Sequence, residues 1–146
     1  PNDVLVDGFK ICGILAEAAA DAVIVGTGIN TTMTTGQLPV PTATSFSVLG
    51  IEADIDRLLA LYLQNLDRSL AALAAAGNAD VSGLRAAVSA RCSTLGQDVV
   101  VSLPGGRTLE GTAVSLDVAG RLVVNADGVQ HPVSAGDVVH VRPAPG

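Results

Sequence analysis

The apolar positions change their period twice along the chain, and the changes divide it into strand, helix and strand stretches. Val4-Leu5-Val6 is a short apolar run, and Asp7-Gly8 is a hairpin turn signal because glycine tolerates positive φ. Lys10 to Glu17 then predicts the returning strand. Ala18-Ala19-Ala20-Asp21 suits either strand or turn. Ala22 to Asn30 predicts a third strand, whose Val23-Ile24-Val25 run suits a buried sheet position. Thr31 to Pro41 is rich in Thr, Gly and Pro and predicts a loop, followed by a short segment around Phe46 to Leu49.

Helical spacing takes over next. Ile55, Leu58, Leu59, Tyr62, Leu66, Leu70 and Leu73 recur on one stripe and predict a helix from Asp54 to Ala76. Glu52, Asp54 and Asp56 suit its positive end, and Gly77-Asn78 ends it. A second helix is expected from Asp80, as its N-cap, to Arg91. The apolar stripes are expected to pack on the sheet. From Leu95 the period returns to that of strands. Candidates are Asp98 to Leu103, Thr108 to Asp117, Arg121 to Asn125, Val129 to Val133 and Val138 to Val141, with Pro104-Gly105-Gly106 as a turn. Short strands separated by glycine turns predict a small barrel.

Composition narrows the function classes. At 146 residues the chain suits one ordinary domain or two small ones. Apolar residues make up 49% and aromatic residues 2%, so the core must be built from Ala, Val, Leu and Ile. A net charge of −6 with scattered arginines argues against a nucleic-acid footprint, which needs clustered cations. No apolar run approaches the roughly 20 residues of a membrane helix, and no secretory signal pattern is present. Cys12 and Cys92 lie in unrelated segments, so a reduced, cytoplasmic setting is expected. With His131 and His140 they make no zinc spacing, and no function is assigned to these four residues.

One residue stands apart. Lys10 is the sole lysine, and it opens the segment Lys10-Ile11-Cys12-Gly13-Ile14-Leu15 after Pro1-Asn2-Asp3 and before Gly26-Thr27-Gly28-Ile29-Asn30. Alone, Lys10 reads as a solvated lysine at a strand start, Gly13 as a sheet bulge, and Asn2 and Asp3 as turn-capping residues. Gly-x-Gly by itself is a weak signal, and no dinucleotide-binding spacing follows it. Taken together and in order, however, the three segments resemble the catalytic domain of biotin–protein ligases. That family builds one face of its site from a Trp-Pro-Asn-Asp run, a Lys-x-x-Gly-Ile-Leu strand and a Gly-x-Gly-Ile-Asn strand end. Leu95-Gly96, Leu116-Asp117 with Gly120-Arg121-Leu122, and Ser134-Ala135-Gly136-Asp137 are similar to the family's C-terminal domain, a Src-homology-3-like barrel.

The resemblance implies an α+β fold: a mixed β-sheet with packed helices, followed by a small β-barrel. It implies domains over 1–92 and 93–146, with the boundary near Ser93. It also implies the chemistry. Such an enzyme activates biotin with ATP as biotinyl-AMP, then transfers it to a lysine of a biotin carboxyl carrier domain of a carboxylase, with Mg²⁺ sharing the phosphate charge. Lys10 would be the catalytic residue, contacting the biotin carboxylate and later the adenylate oxygens. Gly13 and Ile14 would lie against biotin. Asn2, Asp3, Gly26, Gly28, Ile29 and Asn30 would bind the nucleotide, with Asp3 also holding the metal. Arg142 would reach the nucleotide from the barrel, although it reads equally as a surface arginine. Cys12 stands where the family usually has a small residue and should be tolerated as a small apolar one.

The match departs from the family at the front. The Lys-Trp that should precede Pro1 and the upstream glycine- and arginine-rich loop have no counterpart here. The expectation is a C-terminal portion of a longer ligase, unable to complete adenylation alone and exposing sheet edges. Homodimerisation through the sheet fits this pattern but is not required by it, and a DNA-binding domain in the parent would lie outside this chain. A lipoate-attaching enzyme of related fold is the nearest alternative, and a non-catalytic interaction module is the rival from another class.

Overall fold

The computed structural model describes residues 2–134 and 140–143. The chain divides into two compact units, Pro1–Asn65 and Leu66–Gly146. The first holds a three-stranded antiparallel sheet in sequence order, made of β1 (Asp3–Val6), β2 (Phe9–Ala19) and β3 (Ala22–Ile29). Asp7 and Gly8 both take positive φ, 50° and 82°, which is the tight turn their sequence predicts. The ambiguous alanines resolve as strand to Ala19. Ala20 then turns at φ 51°.

Helix α1 (Ile55–Ala76) begins and ends as its sequence requires. Asp54 Oδ1 accepts the Arg57 backbone N–H at 2.9 Å, which satisfies one of the donors left over at a helix start. Gly77, at φ 74°, closes the other end and donates its N–H to the Leu73 carbonyl. Leu58, Tyr62, Leu66, Ser69, Leu73 and Ala76 are half-buried and fall on one face. No residue of α1 is fully buried, however. The stripe expected to pack on the sheet is only partly covered within the first unit, with Ile55 55% and Leu59 53% exposed.

The Val23-Ile24-Val25 run also departs from expectation. These residues are 66%, 60% and 45% exposed. β3 is an edge strand of its sheet, and of these three residues only Val25 lines the groove shared with α1.

The second unit carries α2 (Leu84–Ser89) and a five-stranded antiparallel sheet. Its strands are β4 (Asp98–Ser102), β5 (Thr108–Leu116), β6 (Leu122–Ala126), β7 (Val129–Val133) and β8 (His140–Pro143), in the spatial order β7-β6-β5-β4-β8. This is the small barrel that the strand spacing predicts, of the Src-homology-3-like kind that the resemblance implies. Alternation builds its core: Val99, Val101, Ala113, Val124 and Val133 are buried together, with Leu103, Leu109 and Leu122 packed against them. Val138 and Val139, part of the last predicted strand, lie outside the described residues.

The helix expected from Asp80 to Arg91 is shorter than its sequence suggests. Asn78, not Asp80, caps the preceding turn, its Oδ1 accepting the backbone N–H groups of Asp80 and Val81. Asp80 instead pairs with Arg85, whose Nη1 also donates to the Leu116 carbonyl on β5. Gly83 then takes φ 76°, a left-handed conformation that interrupts helical winding, so α2 starts only after it.

Candidate active site

The strand register places the sequence motifs side by side. Asp3 pairs with Gly13 across β1 and β2, and Gly13 pairs with Gly28 across β2 and β3. Partners directly opposite share a face of the sheet, so Asp3, Gly13 and Gly28 form one row. Gly26 lies on the same face, opposite Leu15. A methyl group at Gly28 would meet nothing within 4 Å, and one at Gly26 only the Leu15 carbonyl at 3.9 Å. The result is a bare strip of backbone that a ligand can approach closely.

Lys10 reaches this strip through an irregularity in β2. Strict alternation would send the side chains of Lys10 and Gly13, three residues apart, to opposite faces. The β1–β2 register shifts at this point: Val4 pairs with Cys12, Leu5 pairs with Lys10, and Ile11 is the extra residue. Such a bulge re-aims a side chain. Here it lays the Lys10 ammonium over Gly13, where a Cβ would sit 3.2 Å from Nζ. The same ammonium pairs with Asp3 Oδ1 at 2.7 Å. Both side chains remain about two-fifths exposed, at 41% and 39%, so the pair is open to solution.

The backbone beneath Lys10 is held firmly. Its N–H donates to the Thr42 carbonyl, and its carbonyl accepts the Thr44 N–H, each at 2.8 Å. Ala43 lies alongside as a parallel bridge. Ala43, Thr44 and Ser45 are buried, and Ser45 Oγ donates to the Met33 carbonyl at 2.6 Å while accepting the Val48 N–H. A buried Thr-Ser pair after a Pro-rich loop carries no periodic signal, so the role of this segment is not visible in the sequence. Cys12 is buried beside the site, and burial pushes its thiol above the ordinary range, with Lys10 opposing that shift and Asp3 adding to it. That environment suits the small apolar role expected of it.

The opposite face of β3 carries Val25, Thr27 and Ile29. With Thr31 and the α1 residues Ile55, Leu58, Leu59 and Tyr62 they line an apolar groove of about 440 Å³. Thr27 Oγ1 and Tyr62 Oη hydrogen bond at 3.0 Å, tying helix to strand. Tyr62 is the chain's single tyrosine, and helical periodicity alone counted it as one more apolar position.

The expected site residues are thus gathered unevenly. Asp3, Lys10, Gly13, Gly26 and Gly28 share a face. Asn2 joins through its backbone, its carbonyl accepting the Ile14 N–H. Ile14 and Ile29 lie on the alternate face by strand register, so any part they have in binding would come through backbone. Asn30 stands at the end of β3 with its amide Nδ2 donating to the Thr44 carbonyl at 2.9 Å. Arg142 sits on β8 opposite Val100, in the second unit, and its side chain lies outside the described residues. Among the described residues no three acidic, histidine or cysteine side chains cluster as a metal cage.

Residues 94–141 match the family described as biotin protein ligase C terminal domain. A biotin–[acetyl-CoA-carboxylase] ligase of Mycobacterium tuberculosis is 42% identical over 143 residues, 97% of this chain and 52% of the relative. The chain therefore spans about half the length of the curated relative it matches. Among solved structures, an Aquifex aeolicus biotin protein ligase superposes with a TM-score of 0.82 at 22% identity, covering 99% of this chain and 63% of that one. The same enzyme in complex with biotin and ATP gives 0.79 at 23% identity, covering 99% and 60%. At such identities these structures speak for the fold. On the combined evidence of its motifs, its fold and its 42% identical relative, the chain matches the C-terminal portion of biotin–protein ligases along almost its whole length.

Proposed function

We propose that this chain provides one face of the active site of an ATP-dependent ligase that activates biotin as biotinyl-AMP and transfers it to a lysine of a biotin carboxyl carrier domain. The observation that carries the reading is the Lys10–Asp3 pair, set over the bare Gly13–Gly28 strip by the bulge at Ile11. An exposed ion pair contributes only about 0–1 kcal/mol, so an incoming carboxylate can take over the ammonium at small cost.

In the first step a biotin carboxylate oxygen attacks the α-phosphorus of ATP. A carboxylate O–P bond forms, the α–β bridging bond breaks, and pyrophosphate leaves with the electron pair. Lys10 would screen the repulsion between carboxylate and phosphate and hold the charge that gathers on their oxygens. In the second step the carrier amine attacks the acyl carbon. A C–N bond forms, the C–O bond to AMP breaks, and the amine gives up a proton. Binding both reactants against one rigid strip removes much of the entropic barrier.

The donor set fits a magnesium ion brought with the nucleotide, because Mg²⁺ commonly takes one or two carboxylates and completes its shell with phosphate oxygens and water. Asp3 would supply that carboxylate. The ion would neutralise phosphate charge. Gly26 and Gly28 leave room for a flat base. Arg142 is assigned to the nucleotide by resemblance alone.

The acceptor would be the carrier domain of a carboxylase, and the free Cys12 and Cys92 support a reducing, cytoplasmic setting. A second copy would pair along the open edge of β3. The test is pyrophosphate exchange into ATP by the full-length protein, supplied with biotin or with lipoate. Exchange that depends on biotin supports the reading. Exchange driven by lipoate and not by biotin overturns it in favour of the lipoate-attaching alternative, and exchange with neither favours an interaction module.

A further inference from the structure

Asn30 holds a different place from the one its motif implies. Its backbone N–H extends the β2–β3 ladder to the Ile11 carbonyl at 2.8 Å, and its own carbonyl accepts the Phe46 N–H at 3.2 Å. Its side-chain Nδ2 donates to the Thr44 carbonyl. Thr44 in turn donates its N–H to the Lys10 carbonyl. A single residue, Thr44, therefore links the Asn30 amide to the lysine backbone, and Thr44 is 4% exposed, away from solvent competition. The flanking Lys10 N–H to Thr42 bond closes the other side of the clamp.

We infer that Asn30 is a positioning residue that fixes Lys10 through the Thr42–Ser45 segment, of which Ala43, Thr44 and Ser45 are buried. This inference rests on the proposed role of Lys10 and assigns Asn30 a task other than touching the nucleotide. The physical argument is one of choice at the bulge. A strand with one extra residue has more than one way to distribute it, and each way points Lys10 differently. Backbone bonds from Thr42 and Thr44 select the arrangement that lays the ammonium over Gly13. The Thr42–Ser45 segment needs its own anchor, because it pairs with β2 at Lys10 alone, as an isolated bridge. The Asn30 amide anchors it at Thr44, the residue bonded to the Lys10 carbonyl, while the Ser45 hydroxyl on the Met33 carbonyl holds its far end. Aspartate at this position would keep the shape, remove the donor and set a carboxylate oxygen against a carbonyl.

The test compares wild type, Asn30→Ala, Asn30→Asp and Asn30→Gln in the full-length protein. The readouts are pyrophosphate-exchange kinetics, thermal unfolding, and the rate at which an amine-acylating reagent labels Lys10, mapped by mass spectrometry. The inference expects Asn30→Ala and Asn30→Asp to lower kcat by about tenfold to a hundredfold, as misplacement by an ångström does. It expects KM for ATP to stay within about threefold, since no nucleotide contact is lost. Lys10 should label faster, and Asn30→Gln, which keeps the amide donor, should recover part of both changes. If the shorter variants do not fold, the glutamine variant carries the test through its labelling rate. A raised KM for ATP with unchanged kcat and unchanged Lys10 labelling would overturn the inference and return Asn30 to the nucleotide. Failure of the underlying reading looks different: Lys10→Ala would then retain exchange, whatever Asn30 does to labelling.

Discussion

The glycines of the strip separate ligand effects from folding effects. A methyl group at Gly28 meets no protein atom within 4 Å, so the fold should accept alanine there without loss. Any fall in exchange activity for Gly28→Ala would then report a ligand lying on that spot. Gly13→Ala acts differently. Its methyl would crowd Lys10 Nζ at 3.2 Å and Cε at 3.3 Å, both at the far end of a flexible chain. The lysine can move aside, so stability should change by no more than about 0.5 kcal/mol, the range of substitutions that break no packing. The ammonium would leave its place, and exchange should fall by about tenfold or more. Parallel unfolding curves and exchange rates check both variants. Unchanged exchange in both would remove the strip from the site. At this scale the sequence was legible where a residue type was rare. A lone lysine and spaced glycines could be read directly, whereas the Asn30–Thr44 bond could not, because neither residue signals a long-range partner.

Among elements, strands and caps followed local chemistry closely. The Asp7-Gly8 turn, the Asp54 cap and the Gly77 stop lie where their side chains and backbone freedom place them. The short α2 is the exception: Ser82-Gly83 offered a break that helical alanine content obscured, and Arg85 drew Asp80 away from a capping role. The bulge in β2 left no trace in composition, since Ile11 is an ordinary strand residue; only the pairing with β1 reveals it. Gly111 on β5 shows the same limit. A Cβ there would run into the Asn125 carbonyl oxygen and stand 3.0 Å from Val124 Cγ1. The backbones of β5 and β6 must part to admit it. Gly111→Ala should therefore destabilise the second unit by about 1–3 kcal/mol, as overpacking does. Denaturant unfolding measures this, and a change within error would mean that the two strands are not held so closely.

For the whole molecule, an apolar fraction of 49% is enough for a core, yet much of that surface stays open among the described residues. Leu15, Val23 and Ile24 on the β2–β3 hairpin, and Leu59 and Leu63 on α1, are each more than half exposed. Periodicity tells which side of a strand or helix is apolar; it does not tell whether anything covers that side. The barrel core was readable because its covering strands follow within the same stretch of chain. The first unit was readable as strands and helix, but not as a half-covered sheet. The small barrel was legible because glycine turns separate its short strands, and the ligase resemblance because motif residues are dense in this chain, whereas the strand order β7-β6-β5-β4-β8 was not.

The central claim is that Lys10 carries the charge of the reacting oxygens. Biotin-dependent pyrophosphate exchange by full-length Lys10→Ala, measured beside wild type and with matched unfolding curves, tests it most directly. The account predicts a loss of about a hundredfold or more in kcat, the scale on which removing one charge-stabilising donor acts, with the unfolding midpoint unchanged. Exchange at the wild-type rate by the folded variant would contradict it.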